Sequence, residues 1–340
     1  MRARALTVPR AAGERTRRAL ADAGALREDL AIVEEEDRLV LPVRDEARVL
    51  PPWGKLGERE FPPLPPSGPS DFRELLPWPS AERAQVPRAF DVVGDVVLIR
   101  LPDSLLARRF EIGEALLRFV PSARIVGLDR GVRGPERRRS VERIAGSGGW
   151  ATRHRENRLE FDVDVERAYF SPRLAGEHAR VASEVRRGDR FYDLCCGVGP
   201  FAVTAARAGS ARSVVAVDAN PEAIALLRAT LRRYPFGSLV RPLEARVEEF
   251  VRTAGPAERV LVNLPHEGIK YATLVAPLVA PGGRLYYYEV VPRDEIGRRA
   301  AVVENALASA GPFTVTTVRS VHPYSPASDL LALAVDRRGS

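Results

Sequence analysis

The chain has 340 residues, 45% hydrophobic and 29% charged, which is a globular composition large enough for more than one core. Its two cysteines, Cys195 and Cys196, are adjacent, which excludes a disulfide framework and a cysteine-based zinc site. Because there is neither an apolar run near the roughly 20 residues of a membrane helix nor a signal-peptide stretch, we expect a soluble, cytoplasmic protein without a metal. The net charge of +7 suits a polyanionic partner, although a general preference for arginine would give the same value.

The first block, residues 1–48, reads as a small α/β domain. Its pattern predicts a strand at Ala5–Val8, a helix at Gly13–Ala23, and a hairpin formed by Leu30–Glu34 and Leu39–Val43. Residues 49–70 follow, with three Pro-Pro pairs, and we interpret them as an extended linker that forms neither a helix nor a central strand.

The second block, residues 71–165, predicts a middle domain of mixed elements. The expected elements are a strand at Val92–Leu101 with a turn at Gly94-Asp95, a helix at Ala107–Phe119, and strands at Ala123–Leu128 and Arg158–Val165. The arginine-rich segment Arg130–Arg143 is interleaved with glutamates, and taken alone it would be a solvated, salt-bridged face.

The third block, residues 166–340, alternates strands and helices. Five strand–helix units are followed by two strands in succession, Phe313–Ser320 and Asp329–Val335. Alternation of this kind predicts a parallel sheet with right-handed crossovers, and the last two strands predict an antiparallel hairpin at its edge. We therefore expect an α/β fold with the class I, Rossmann-like methyltransferase sheet, preceded by two smaller domains.

The sharpest local motif is Asp193-Leu-Cys-Cys-Gly197-Val-Gly199-Pro-Phe201, between a predicted strand and a helix. Glycines in such a turn let the backbone approach a ligand closely, and Asp218 at the tip of the next strand can accept both ribose hydroxyls. The dinucleotide fingerprint is incomplete because position 202 is Ala202, and no Lys-Ser/Thr pair follows as in a phosphate-binding loop. The motif favours S-adenosylmethionine over NAD, the alternative being a nucleotide-binding turn of another class.

Several further motifs occur in a fixed order along the chain. They are Arg88-Ala-Phe-Asp-Val-Val-Gly-Asp95, Arg137-x-Arg139 with Glu142-Arg-Ile-Ala-Gly146, Tyr169-Phe-Ser-Pro-Arg173-Leu-Ala-Gly-Glu177, Asp218-Ala-Asn220-Pro, and Asn263-Leu-Pro265. Together they resemble the tRNA (guanine-N1)-methyltransferase family of archaea and eukaryotes, whose members methylate the guanosine 3′ of the anticodon. The resemblance covers nearly the whole chain.

The resemblance implies roles for individual residues. The general base falls on Glu177, the arginine that contacts guanine O6 on Arg137, a supporting arginine on Arg173, and the base-reading amide on Asn263. The implied cofactor-binding residues are Asp193, Gly197, Val198, Gly199, Phe201, Asp218, Asn220 and Pro265. It also implies a monomer that binds tRNA, with residues 1–48 docking a distant part of the RNA and residues 71–165 binding RNA.

These residue types suit the reaction. Guanine N1 becomes nucleophilic when a carboxylate removes its proton, and a guanidinium stabilises the charge that develops on O6. His178 stands where the family often has arginine, either as a lost phosphate contact or as a neutral replacement. Rival interpretations are the aminocarboxypropyl transferase of the wybutosine pathway, a non-catalytic tRNA-binding protein, and a small-molecule methyltransferase.

Overall fold

The structure, a computed structural model, describes residues 1–47, 54–64, 68–134 and 138–339. The described chain divides into two units, Met1–Ser70 and Asp71–Ser340. None of the helices within the described residues is long and apolar enough to cross a membrane.

The first unit is a four-stranded sheet with one helix. Its elements are β1 (Arg2–Pro9), α1 (Gly13–Asp22), β2 (Val33–Glu35), β3 (Arg38–Val43) and β4 (Lys55–Glu60). The sheet order is β2-β3-β1-β4, and every pair is antiparallel. Leu6, Val8 and Leu41 are buried together with Leu20 of α1, so the predicted helix and hairpin share a core.

Strand β4 corrects the interpretation of residues 49–70 as a linker throughout. All six β4 residues are exposed, and they pair with β1 at one edge of the sheet, from Lys55 opposite Thr7 to Glu60 opposite Arg2. An edge strand needs hydrogen bonds on one side only, so it tolerates charged residues and nearby prolines that a central strand excludes.

The second unit begins with a four-stranded sheet and a hairpin. Its elements are α2 (Ser80–Arg83), β5 (Phe90–Val93), β6 (Val96–Ile99), α3 (Arg109–Phe119), β7 (Ile125–Arg133), β8 (Arg138–Gly146), β9 (Ala151–Glu156) and β10 (Leu159–Asp164). The sheet order is β5-β6-β7-β8, and β9 pairs with β10. The predicted strand Val92–Leu101 is therefore two strands, separated at Gly94, whose φ of 59° makes the turn.

The carboxy-terminal part is a seven-stranded sheet covered on both faces. Its elements are α4 (Ala175–Glu184), β11 (Arg190–Leu194), α5 (Pro200–Ala208), β12 (Ser213–Asp218), α6 (Pro221–Leu231), β13 (Val240–Glu244), α7 (Val247–Thr253), β14 (Ala257–Val262), α8 (Gly268–Val275), β15 (Val279–Pro292), α9 (Arg299–Leu307), β16 (Phe313–Pro323) and β17 (Ser328–Arg337). The order is β13-β12-β11-β14-β15-β17-β16, with β17 antiparallel to both of its neighbours. The predicted α/β methyltransferase sheet is confirmed.

Two apolar cores hold this sheet between its helices. One core contains Val181 of α4, Val203 of α5 and Leu227 of α6, and the opposite core contains Val275 of α8 and Val303 of α9. The first core also takes in side chains from the preceding sheet and hairpin, namely Val93, Val96, Leu98, Ile125, Leu159, Phe161 and Val163. The unit Asp71–Ser340 therefore does not divide at residue 165, where the sequence analysis places a domain boundary.

The chain order reverses between β11 and β14, which are neighbours in the sheet although two strands separate them in sequence. Ligands of open parallel sheets bind outside the carboxyl ends of the strands at such a point. The motif Asp193–Phe201, Asp218 and Asn263 all lie at this edge.

Candidate functional site

The turn after β11 is built from residues in the left-handed region. Cys195, Gly197 and Gly199 have φ angles of 65°, 55° and 77°. The φ of Gly199 favours glycine, and a Cβ atom there would also lie 2.5 Å from Leu227 Cδ1 of α6. The Gly197 N–H donates to Asp218 Oδ2 at 2.7 Å, which ties the turn to the tip of β12.

Asp218 organises two loops at once. Its second carboxylate oxygen accepts the N–H of Asn220 at 2.9 Å, and Asn220 in turn begins α6 by accepting the Glu222 N–H. A carboxylate is an acceptor of the kind that binds ribose hydroxyls, so Asp218 has the chemistry expected of a nucleoside-binding residue.

Asp193 supports the same turn from below. Its side chain is completely buried, and its Oδ2 accepts the Ala202 N–H at 3.0 Å. Burial raises the pKa of Asp193 to about 7; the Ala202 N–H opposes this shift and Asp218 adds to it. Asp193 therefore shapes the turn, and it does not line the cavity that opens beside the turn.

A cavity of about 280 Å³ opens where the turn, the tips of β12 and β13, and the end of β14 meet. Five predicted residues line it, namely Gly197, Phe201, Asp218, Asn220 and Asn263. The predicted cofactor residues Val198, Gly199 and Pro265 lie in the same loops without lining the cavity. Arg137 lies outside the described residues.

Asn263 carries the clearest sign of a missing ligand. It follows the last residue of β14, and its side-chain Oδ1 is buried without a hydrogen-bond partner in the structure. Because an orphaned buried acceptor costs about 1–3 kcal/mol, a cavity-lining carbonyl of this kind indicates that a ligand donates to it.

The far wall of the cavity was not assigned from the sequence. It consists of residues 245–248 after β13 and of Tyr271, whose hydroxyl donates to Glu248 Oε1 at 3.0 Å. Residues 245–248 could have been predicted, because they follow a parallel strand next to β12 and ligands bind outside the carboxyl ends of such strands.

Glu177 lies on α4 and does not line the cavity. Its side chain is 4% exposed and accepts hydrogen bonds from Arg180 at 3.0 Å, from the Tyr288 hydroxyl at 3.1 Å, and from Arg319. Burial acts to raise the pKa of Glu177, but the hydrogen bonds and charges of Arg319 and Arg180 outweigh it and lower the pKa below its usual value. The carboxylate is therefore ionised and already paired, and it does not share the cavity lining with Asn263.

His178, the next residue, does line the cavity. Its Nδ1 is 2.6 Å from Glu156 Oε1 of β9, both side chains are buried, and its ring meets Phe201 edge-on at 4.5 Å. Because the imidazole is buried against a carboxylate, it does not offer a phosphate contact, which agrees with the first alternative, a lost phosphate contact. Periodicity could not have found this pair, because Glu156 and His178 come from different layers.

Two arginines fasten the segment 169–173, which lines the cavity through Tyr169, Phe170 and Ser171. Arg139 of β8 is buried; it donates to Asp129 Oδ2 at 2.6 Å and to the Phe170 carbonyl at 3.0 Å. Arg173, predicted as a supporting residue, is exposed and pairs with Asp91 at 2.6 Å outside the cavity.

Comparison with known proteins agrees with this architecture. The family models described as tRNA methyltransferase 5 N-terminal domain, TYW2 N-terminal domain and TRM5/TYW2 methyltransferase domain match residues 5–50, 72–149 and 152–319. Among curated relatives, the tRNA (guanine(37)-N(1))-methyltransferase Trm5b of Methanocaldococcus jannaschii is 30% identical, covering 94% of this chain and 95% of the relative.

Solved structures give the same result. Wild-type Trm5b from Pyrococcus abyssi superposes with a TM-score of 0.75 at 28% identity, covering 98% of this chain and 99% of the other. The structure titled as the complex of aTrm5 and tRNALeu matches with a TM-score of 0.69 at 27% identity, covering 98% and 99%. With relatives matching over nearly the full length, this chain belongs to the TRM5/TYW2 methyltransferase family.

Proposed function

We propose that this chain is a tRNA (guanine(37)-N1)-methyltransferase that uses S-adenosylmethionine. The proposal depends on one observation: Asp218, the Gly197 turn and the orphaned carbonyl of Asn263 converge on one cavity at the carboxyl edge of the sheet. Full-length relatives named for this reaction support it, as does a relative whose structure is titled as a tRNA complex.

The residues present fit the cofactor. Asp218 offers carboxylate lone pairs for ribose hydroxyls, and Ala219, Ala245 and Val247 offer apolar contact for a purine ring. Of the residues that line the cavity in the described chain, Arg246 alone is a guanidinium or lysine group, which suits a nucleoside ligand without a pyrophosphate. When bound, the cofactor supplies an electrophilic methyl group.

On the guanine side we assign base reading to Asn263, whose buried carbonyl oxygen accepts a donor from the base edge. We assign proton acceptance from N1 to Glu177, which is ionised because Arg180 and Arg319 pair with it. Since those partners also lower the pKa of Glu177, it accepts the proton only when at least one of them withdraws. The resemblance assigns the O6 contact to Arg137.

The rest of the proposal concerns the RNA. We assign docking of a distant part of the tRNA to residues 1–48 and RNA binding to residues 71–165, and we propose Arg173 as a support that anchors the segment 169–173 through Asp91. A net charge of +7 favours a polyanionic partner. We further propose that the protein acts as a cytoplasmic monomer.

The test is nucleoside mass analysis after incubation with labelled cofactor. tRNA transcripts with guanosine 3′ of the anticodon should yield 1-methylguanosine, whereas transcripts with adenosine there should yield none. An added aminocarboxypropyl mass would identify the wybutosine-pathway reaction instead. Tight tRNA binding without turnover at saturating cofactor would identify a non-catalytic binder.

A matched variant tests the observation on which the proposal depends. Asn263→Ala removes the carbonyl, and since a lost hydrogen bond to a buried group is worth about 1–3 kcal/mol, kcat/KM should fall roughly 5- to 150-fold. The control is Asn305→Ala, which removes an exposed amide on α9 that does not line the cavity. Equal kinetics in the Asn263 variant and the wild type would remove Asn263 from the site.

A further inference from the structure

A cluster of exposed rings lies just outside the cavity. Tyr324, in the turn between β16 and β17, is 46% exposed, although it is a large aromatic side chain. Its hydroxyl is 3.0 Å from His266 Nε2, and the two rings meet edge to face at a centroid distance of 5.4 Å. The hydrogen bond and the ring contact hold Tyr324 in place while leaving part of its surface open to solvent.

This cluster continues the wall of the cavity. His266 comes two residues after Leu264, which lines the cavity, and Tyr169, which also lines it, is 38% exposed. Arg100, which follows β6, shares Asp129 with Arg139, and the Arg139 guanidinium lies 5.1 Å from the centre of the Tyr169 ring. Arg100 also lies close enough to Tyr324 and Tyr169 for their phenols to act on its pKa, after burial and Asp129. Arg100 therefore adjoins both Tyr324 and the cavity-lining Tyr169.

The cluster also has surplus positive charge. Arg100 donates to Asp129 Oδ2 at 3.0 Å while its side chain stays 63% exposed. The same oxygen accepts from Arg139 at 2.6 Å, so two guanidinium groups share one carboxylate. An exposed guanidinium whose partner is already shared remains attractive to an anion such as a phosphate.

We propose that Tyr324, His266 and Arg100 form a subsite for the nucleotide next to the methylated guanosine, with its base on the Tyr324 ring and its phosphate on Arg100. The proposal depends on the function proposed above, because a base that enters the cavity must leave the loop stack and deprive its neighbour of a stacking partner. An exposed aromatic ring beside an arginine supplies both contacts that single-stranded RNA seeks, without reading sequence.

The first test is steady-state kinetics of Tyr324→Ala and Tyr324→Phe with tRNA transcripts. Tyr324→Ala should raise KM for tRNA about 5- to 100-fold, since base–aromatic stacking is lost, and leave cofactor affinity unchanged. Tyr324→Phe keeps the ring and should restore KM to within about threefold of the wild type, because stacking needs no hydroxyl. A Tyr324→Ala enzyme with unchanged KM would overturn the subsite and leave the methylation intact.

The second test uses anticodon stem-loop RNA that lacks the base on either side of the target guanosine. The wild type should bind one of the two abasic RNAs more weakly, and Tyr324→Ala should bind that RNA no worse than the intact one. Because binding is measured without methyl transfer, this pattern supports the subsite even if the proposed reaction fails. Additive losses for both abasic RNAs would show that Tyr324 does not contact either neighbour and would overturn the proposal.

Discussion

Asp193 is a buried acid whose charge the fold disfavours. Burial raises its pKa from 3.8 to about 7, so the folded protein prefers the protonated form. Stability contributed by this group is therefore complete below the unfolded pKa and is lost as the pH rises through about 7.

We expect Asp193→Asn to flatten this dependence, because the amide cannot ionise while its oxygen can still accept the Ala202 N–H. The measurement is the thermal midpoint of the cofactor-free protein at about pH 5.5 and about pH 8, where the wild type should lose more stability than the variant. Identical pH dependence in the two proteins would show that Asp193 is ionised throughout.

Among individual residues, the sequence predicted best those that belong to short motifs of consecutive residues. Gly197 and Asp218 lie in short motifs at strand ends, and both line the cavity. His178 and Tyr271 line it too, yet their positions depend on Glu156 and Glu248. Those partners are distant in sequence, and no local pattern connects them.

Helix α4 contacts the sheet through a row of charged side chains. Glu177, Arg180 and Glu184 lie on one side at helical spacing, and they bond to Tyr286 and Tyr288 of β15 and to each other. Arg319 of β16 completes the pairing of Glu177. Three donors, Arg180, Tyr288 and Arg319, therefore fix the Glu177 carboxylate between the helix and the sheet.

We expect Glu177→Gln to lower kcat at least about 100-fold and leave cofactor and tRNA binding within about twofold, since the amide keeps the shape but cannot take a proton. Because the pKa of Glu177 is lowered in the ligand-free protein, kcat/KM of the wild type should show no acidic decline from this group until the pH falls below the usual glutamic acid range. The loss of turnover and the position of the acidic decline are both read from pH–rate profiles of the wild type and the variant.

The matched control is Glu184→Gln on the same helix. Glu184 belongs to the same network through Arg180, Arg284 and Tyr286, so its loss should lower the thermal midpoint without changing kcat. If both variants lose activity in proportion to stability, Glu177 has a structural role and another group accepts the proton.

Among the elements, the sequence predicted the alternating strands and helices of the large sheet but missed β8, which overlaps the arginine-rich segment, and also β4 and β9. Neither β4 nor β9 has the apolar alternation of a half-buried strand: β4 reads Lys-Leu-Gly-Glu-Arg-Glu, and β9 reads Ala-Thr-Arg-His-Arg-Glu. Their strand conformation follows from pairing with β1 and β10, each of which buries apolar side chains in a core. Composition alone therefore could not indicate them.

For the molecule as a whole, charge should govern RNA binding. With a net charge of +7, tRNA affinity should fall at least about tenfold between about 50 and about 200 mM salt, because phosphate contacts release counterions. Affinity for S-adenosylhomocysteine, measured by calorimetry over the same range, is the control and should change little. A flat salt dependence for tRNA would contradict an RNA substrate.

Arg139 links two regions that sequence motifs assign to separate domains. It belongs to β8, yet it grips the Phe170 carbonyl of the cavity wall, and Val96 and Ile125 of the same sheet enter the catalytic core. The carboxy-terminal half is therefore not an independent domain. A fragment that begins at residue 166 would expose part of its own hydrophobic core, and it would lose the Arg139 contact that fixes one wall of the cavity. Substitutions in β7 or β8, far from the reacting atoms, should therefore first weaken the binding of a small nucleoside.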